Sequence, residues 1–263
     1  MQFETIILEY SDNVATVTLN QPDKLNSIGV RMIHELMQAC DEIEQSGKAR
    51  VIVFTGAGRA FCAGADLEDL QKAAASKPAD LERNLRLWFM LTWRIKNIEL
   101  PTIAAVNGHA LGGGFALAIA CDIRIAAEDA RAGTVFVQRG ASSADMGVSW
   151  ILPRIVGAGW AAELMFTGDI IDAAKAERIG LFNHVVPRDQ LMQTVRDMAV
   201  KLAAGPPLGL KFTKRALNRS MWEGLQGHLN LECATQSLAF LSDDFNEGVK
   251  SFYEKRPAQF KGS

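Results

Sequence analysis

Cysteine is scarce in this 263-residue chain: Cys40, Cys62, Cys121 and Cys233 stand far apart, with no C-x-x-C pair. No histidine lies near them at zinc-ligand spacing, so no metal site is expected, and a reducing, cytoplasmic setting is. Net charge is also nearly missing, at -2 with 22% charged residues. A chain so balanced lacks the basic footprint of a nucleic-acid binder. The most apolar stretch, Ile103 to Cys121, is interrupted by Asn107, His109 and four glycines. It reads as strand, turn and helix rather than as a membrane span. Met1 to Tyr10 lacks the basic-then-apolar layout of a signal peptide, so export is not expected. There is no G-K-S/T ending of a phosphate loop, and Gly56-Ala57-Gly58 meets Phe61 where a dinucleotide fingerprint needs its third glycine. No Ser-His-Asp or Cys-His order with a supporting motif occurs, nor any repeat or long linker.

What is present alternates. Phe3–Glu9 and Val14–Leu19 are rich in β-branched residues around Ser11-Asp12-Asn13, which predicts a hairpin. Residues 28–45 carry Met32, Ile33, Leu36, Met37, Cys40 and Ile43 at helical spacing, and the apolar run Val51–Phe54 follows. A second helix over 79–98, a buried strand over Thr102–Val106, a helix over Phe115–Cys121 and a strand over Ile123–Ala126 continue the pattern. Such alternation predicts an α/β core with covered sheets. Past Leu191 only helical periodicity remains, broken at Pro206-Pro207. The expected organisation is a core over residues 1–190 and a helical region over 191–263, packed on the core or on a neighbouring subunit.

Two small-residue segments follow apolar strands: Phe61-Cys62-Ala63-Gly64-Ala65-Asp66-Leu67 and Asn107-Gly108-His109-Ala110-Leu111-Gly112-Gly113-Gly114. Each leads into a helix, whose first N–H groups have no internal partner, and glycine lets a ligand approach the backbone. Two such donors aimed at one point make an oxyanion hole. Read alone, either glycine cluster is equally a tight turn permitting close helix–strand packing.

Together these segments resemble the paired signature of the enoyl-CoA hydratase/isomerase (crotonase) superfamily. The likeness continues through Ala120-Cys121-Asp122-Ile123-Arg124, Leu152-Pro153-Arg154-Ile155-Val156-Gly157 and Phe166-Thr167-Gly168. The resemblance implies a spiral of ββα units with a C-terminal helical trimerisation region, assembled as a homotrimer or dimer of trimers. It implies that the N–H groups of Ala65 and Gly113 hold a thioester carbonyl. Lys24, Leu25, Ala63, Asp66 and Leu67 would lie along the CoA, with Phe252 and Lys255 capping that of a neighbour. The partner would be an acyl-CoA thioester, with no cofactor beyond its CoA moiety and neither nucleic acid nor membrane.

Hydration needs two carboxylates flanking one water. At the positions where the resembling hydratases carry them, this sequence has Ala116 and Phe136; where dienoyl-CoA isomerases and dehalogenases place a further functional residue it has Val137. One acid remains, Asp145 in Ala141-Ser142-Ser143-Ala144-Asp145-Met146-Gly147, where superfamily isomerases present an aspartate. A single carboxylate beside an oxyanion hole can move a proton between carbons, so a double-bond isomerase with Asp145 as shuttle is the expectation, with Phe136 and Trp150 as pocket walls. Asp145 reads equally as an N-cap before Gly147-Val148-Ser149-Trp150. Other lyase, hydratase or hydrolase chemistry and a non-catalytic acyl-CoA binder remain open, as does a displaced acid such as Glu68 or Glu128. His109 is expected to support its turn, and Cys62 to serve as a small turn residue. The stretch from Ala73 to Leu91 should help line the acyl pocket without revealing which acyl group.

Overall fold

The computed structural model describes residues 3–263; Met1 and Gln2, part of the expected N-terminal reading, lie outside them. Strands β1 (Ile6–Ser11) and β2 (Val14–Leu19) form the expected hairpin, closed by Asp12 and Asn13 at φ 54° and 60°. Two left-handed residues match the twist of paired strands, and Asp and Asn tolerate that backbone. The first strand starts at Ile6 rather than Phe3 because the Glu35 carboxylate takes the donors that precede it: Glu4 N (3.0 Å), Thr5 N (2.7 Å) and Thr5 Oγ1 (2.6 Å).

Helix α1 (Val30–Ser46) buries Met32, Ile33, Leu36, Cys40 and Ile43 and is followed by β3 (Val51–Gly56), β4 (Ala60–Cys62), α2 (Leu67–Ala74) and α3 (Pro78–Asn97). The pattern repeats with β5 (Thr102–Val106), β6 (His109–Leu111) and α4 (Gly113–Ala120), then with β7 (Ile123–Ala127) and β8 (Arg131–Gly133). After these come α5 (Val148–Val156), α6 (Ala158–Thr167), β9 (Ile171–Asp172), α7 (Ala173–Arg178) and β10 (His184–Val186). The strands of each pair separate: one sheet runs β1-β2-β3-β5-β7-β10 and the other β4-β6-β8-β9. From β3 to β8 each step along the chain crosses from one sheet to the other, and the chain advances as the expected spiral of ββα units.

The segments read as glycine-rich turns thus contain strands β4 and β6, and β8, β9 and β10 had no counterpart in the sequence reading. Each is two or three residues long, too short to carry an alternation. In the large sheet alternation decides which face each residue covers. Ile52, Phe54, Ala104, Val106 and Ala126 face the inner core, while Val51, Val53, Ile103, Ala105, Ile125 and Ala127 face the opposite side. That second side is sealed by α8 (Leu191–Ala203) through Leu191, Val195, Ala199 and Ala203. A parallel sheet covered on both faces accounts for the unbroken apolar runs.

The helical region expected from residue 191 therefore begins with a helix packed on the core. Helix α9 (Pro207–Arg219) is tied down by Lys214, whose Nζ lies 2.7 Å from Leu100 O and 2.8 Å from Asp122 Oδ2, and by Asn218 Nδ2, which donates to Lys96 O at 2.6 Å. Helices α10 (Leu225–Phe240) and α11 (Asp243–Glu254) leave Leu225, Leu229, Leu238, Phe252 and Tyr253 exposed. No helix among the described residues is long and apolar enough to cross a membrane.

Candidate active site

The small sheet holds β4 and β6 side by side, and each strand hands the chain to a helix at the same end. The links are 63–66 and residue 112. In the first, Ile28 pairs with Ala65 as an isolated bridge: Ile28 N donates to Gly64 O (2.7 Å) and Asp66 N to Ile28 O (2.8 Å). These bonds use the peptide groups on either side of Ala65 and leave the Ala65 N–H facing the opposite way. In the second, Gly112 N is spent on Gly133 O at 2.9 Å, while Gly113 opens α4, where the N–H groups have no intrahelical partner. A side-chain carbon on Gly113 would stand 3.6 Å from Ala65 N, and one on Gly64 would stand 3.7 Å from Gly113 N. The two N–H groups are thus neighbours across the link.

Gly64 has φ 115°, a backbone that L side chains rarely adopt. Gly114 is required by contact: a Cβ there would lie 2.2 Å from Cys62 O. Packing of α4 directly onto β4 therefore sets the spacing of Ala65 and Gly113. Cys62 is fully buried in β4 rather than in a turn, its Sγ 3.5 Å from Gly64 N, and burial pushes its thiol up to about 12. A thiol so hard to ionise is no nucleophile.

The loop after β8 brings the third element. Ser143 Oγ donates to Met165 O (2.8 Å) and Ser142 Oγ accepts Ala144 N (3.0 Å), so both serines shape the loop. Met146 is buried at φ 43°, and its Sδ lies 3.4 Å from where a Cβ of Gly113 would be. A non-glycine residue in that conformation stores backbone strain that the surroundings must hold, and here it sits against the paired N–H groups. Asp145 immediately precedes it. The N-cap reading of Asp145 is corrected: the cap of α5 is Gly147, with no side-chain cap bond, and only the backbone C=O of Asp145 takes part, accepting Val148 N at 2.8 Å. Burial raises the Asp145 carboxyl above the usual range, weakly opposed by the Met146 N–H, and no cation contributes.

Around this point the walls are apolar. Ala116 is fully buried one helical turn beyond Gly113, and Phe136 Cε1 lies 3.7 Å from where a Gly112 Cβ would be. Val137 turns away, against Gly168. Glu68 and Glu128 are exposed, outside this cluster. His109 is exposed on β6 and forms no side-chain hydrogen bond among the described residues, so it does not support a turn as expected.

The five residues expected along CoA gather at one edge. Ala63 N donates to Leu25 O (3.0 Å), Leu25 is left-handed at φ 52°, and Lys24 Nζ pairs with Asp66 Oδ2 at 3.1 Å. Asp66 also caps α2, accepting Glu68 N and Asp69 N, and Leu67 beside it is 63% exposed. Phe252 and Lys255 are exposed at the end of α11. Sequence reasoning missed Met146, whose role depends on its φ, and the amides of Asn26 and Asn107, which staple the turn between β3 and β4. Asn26 Nδ2 reaches Ala57 O and Ala60 O, both at 2.8 Å; Asn107 Nδ2 reaches Gly56 O (2.8 Å) and Gly58 O (3.0 Å).

Comparison with known proteins bears on this arrangement. The family profile described as enoyl-CoA hydratase/isomerase matches residues 9–263. A crotonyl-CoA hydratase of Syntrophomonas wolfei is 35% identical over 261 residues, 99% of each chain. A 1,2-epoxyphenylacetyl-CoA isomerase of Escherichia coli is 36% identical over 98% of this chain and 99% of its own. The crystal structure of an enoyl-CoA hydratase from Bacillus anthracis superposes with a TM-score of 0.93 at 32% identity, covering 99% of this chain and 100% of that one.

Proposed function

The chain belongs to the enoyl-CoA hydratase/isomerase family, and from that premise we propose that it is a single-acid acyl-CoA isomerase. The thioester carbonyl oxygen sits between the N–H groups of Ala65 and Gly113, with CoA along Lys24, Leu25, Ala63, Asp66 and Leu67. Asp145 takes a proton from one carbon of an unsaturated acyl group, the two N–H groups hold the charge that passes to the thioester oxygen, and Asp145 returns the proton to another carbon. The double bond moves and nothing is added. One observation carries this reading: Asp145 is a half-buried, partly desolvated carboxylate, unpaired with any cation, in the loop whose next residue packs on Gly113. A carboxylate desolvated in this way is a stronger base than one in water.

The names of two relatives point to hydration instead, since the Syntrophomonas and Bacillus proteins are named hydratases. Against it stand Ala116 and Phe136, which cannot move the protons of a bound water. The exposed apolar side chains of α10 and α11 support assembly into a homotrimer or a dimer of trimers. The test is incubation with 2-enoyl-, 3-enoyl- and dienoyl-CoA thioesters in deuterated water. Bond migration with deuterium uptake and without hydration is expected, and Asp145→Asn should abolish it. Robust hydration would overturn the single-acid mechanism, and tight binding without exchange would make the protein a carrier.

A further inference from the structure

Beyond the paired N–H groups, the face of α3 bearing Phe89, Trp93 and Lys96 meets Trp150 of α5 and Trp222, between α9 and α10, around a cleft of about 360 Å³. Trp93 and Trp222 remain 57% and 59% exposed, a large indole surface left open to a ligand. Trp150 is held in place: its ring centroid is 5.6 Å from that of Trp222, the Arg154 guanidinium lies 4.0 Å over its ring, and Arg154 Nη1 donates to Trp150 O at 2.7 Å. The cleft begins beside the catalytic loop. Gly147, two residues after Asp145, lines it, and a Cβ there would lie 3.4 Å from Thr92 Cγ2, so two small residues form the wall between them. Of the stretch Ala73 to Leu91 expected to line the acyl pocket, Phe89 lines this cleft, joined by Thr92, Trp93 and Lys96 further along α3.

Lys96 is the one charged residue lining this cleft. Its nearest acid is Asp122, whose Oδ1 lies 3.9 Å away, beyond hydrogen-bond distance, while the other oxygen, Oδ2, accepts Thr102 N (2.8 Å), Thr102 Oγ1 (2.9 Å) and Lys214 Nζ (2.8 Å). The Lys96 side chain is 16% exposed, and its ammonium, paired with Asp122 only at 3.9 Å, has no acceptor within hydrogen-bond distance among the described residues. Burial lowers its pKa, with Asp122 opposing and Lys214 and Arg124 adding to the lowering. Thr92 Oγ1 is buried without a partner. A buried donor left unsatisfied, beside an ammonium that makes no hydrogen bond, favours a ligand that brings an acceptor.

Resting on the acyl-CoA reading above, we propose that this cleft seats the far end of the acyl group and selects an aromatic ring whose outer edge carries an oxygen acceptor for the Lys96 ammonium. A flat ring fits against indole faces, which a flexible alkyl chain covers only at a cost in rotamer entropy. A hydrogen bond to a charged donor in a site sheltered from water corresponds to about ten-fold in affinity.

The test is titration calorimetry of octanoyl-CoA, phenylacetyl-CoA and para-hydroxyphenylacetyl-CoA against wild type, Lys96→Met and Lys96→Arg, each first checked for cooperative thermal unfolding. The wild type should prefer the ring to the chain, and the hydroxylated ring should bind about ten-fold tighter than the plain one. In Lys96→Met that hydroxyl preference should fall to about two-fold or less, and Lys96→Arg should keep most of it. Equal binding of all three thioesters, or a hydroxyl preference that survives Lys96→Met, overturns the cleft assignment while leaving the acyl-CoA reading intact. Absence of binding by all three to folded wild type overturns the acyl-CoA reading and the cleft assignment with it.

Discussion

Replacing Gly114 by alanine tests whether helix packing sets the proposed oxyanion site. The new Cβ would lie 2.2 Å from Cys62 O, 2.7 Å from Cys62 Cβ and 2.8 Å from Cys62 C, and two of these three atoms are backbone. An ordinary carbon–oxygen contact is about 3.3 Å, so the start of α4 must retreat from β4 by about 1 Å. Gly113 precedes the substitution in the same turn and moves with it, while Ala65 stays with the β4 link. A hydrogen bond of about 2.9 Å from Gly113 N to the thioester oxygen then stretches to nearly 4 Å and is lost. Loss of one such donor costs about 10²- to 10³-fold in kcat, and the overpacking itself costs about 1–3 kcal/mol of stability. Steady-state turnover of a 3-enoyl-CoA and thermal unfolding measure both, with Gly159→Ala as control, since a Cβ at Gly159 meets nothing within 4 Å. The control should retain full turnover. A Gly114→Ala enzyme with kcat within about three-fold of wild type would refute the argument that α4 packing positions the donor.

Three further outcomes follow from two carboxylates shielded from water, Asp145 and Glu35. Burial holds Asp145 above the usual carboxylate range, and the shuttle starts from its ionised form, so kcat/KM should fall as pH drops through that raised pKa, with the acid limb above the ordinary aspartate value of about 3.9. The same raised pKa means that the stability Asp145 contributes is present at low pH and lost as pH rises through it. Asp145→Asn should therefore unfold at an equal or higher Tm at neutral pH while losing turnover; a clear drop in Tm would mean that the carboxylate is structural. At Glu35, burial pushes the pKa up, but hydrogen bonds from Thr5 Oγ1, Glu4 N and Thr5 N outweigh it and leave the carboxyl below its usual range. Its stabilisation is present above the unfolded pKa of about 4.3 and lost as pH falls through the lowered value. Glu35→Gln should cost about 1–3 kcal/mol in denaturant unfolding at neutral pH and much less in acid.

How far the fold was readable depended on element length. The helix from Val30 to Ser46 and the strand Thr102–Val106 are long or apolar enough for period or burial to mark them, and both stand where expected. Ala60–Cys62, His109–Leu111 and Arg131–Gly133 are three residues each, and their strand character comes from neighbours remote in sequence. At the candidate site the small residues of both segments were visible, because two such clusters each follow an apolar strand and lead into a helix, although either alone reads as a tight turn. Asp145 could be read as a cap or as an acid, and the choice turned on Gly147 standing at the start of α5. Nothing in residue type indicates that Met146 adopts a left-handed backbone or that Lys96 shares a cleft with three tryptophans.

By itself the sequence determined the class of fold, the family and the small-residue segments that allow backbone to approach a ligand. These are local properties: periodicity, turn chemistry and the absence of a Cβ act within a few residues. Tertiary structure alone decided that Gly64 and Gly113 lie side by side, that the Asp145 carboxylate is half-buried with no cation beside it, and that Phe89, Trp93 and Lys96 face Trp150 and Trp222. Each of these depends on which element packs against which across tens of residues, and desolvation or an unmet donor arises only when those surfaces close.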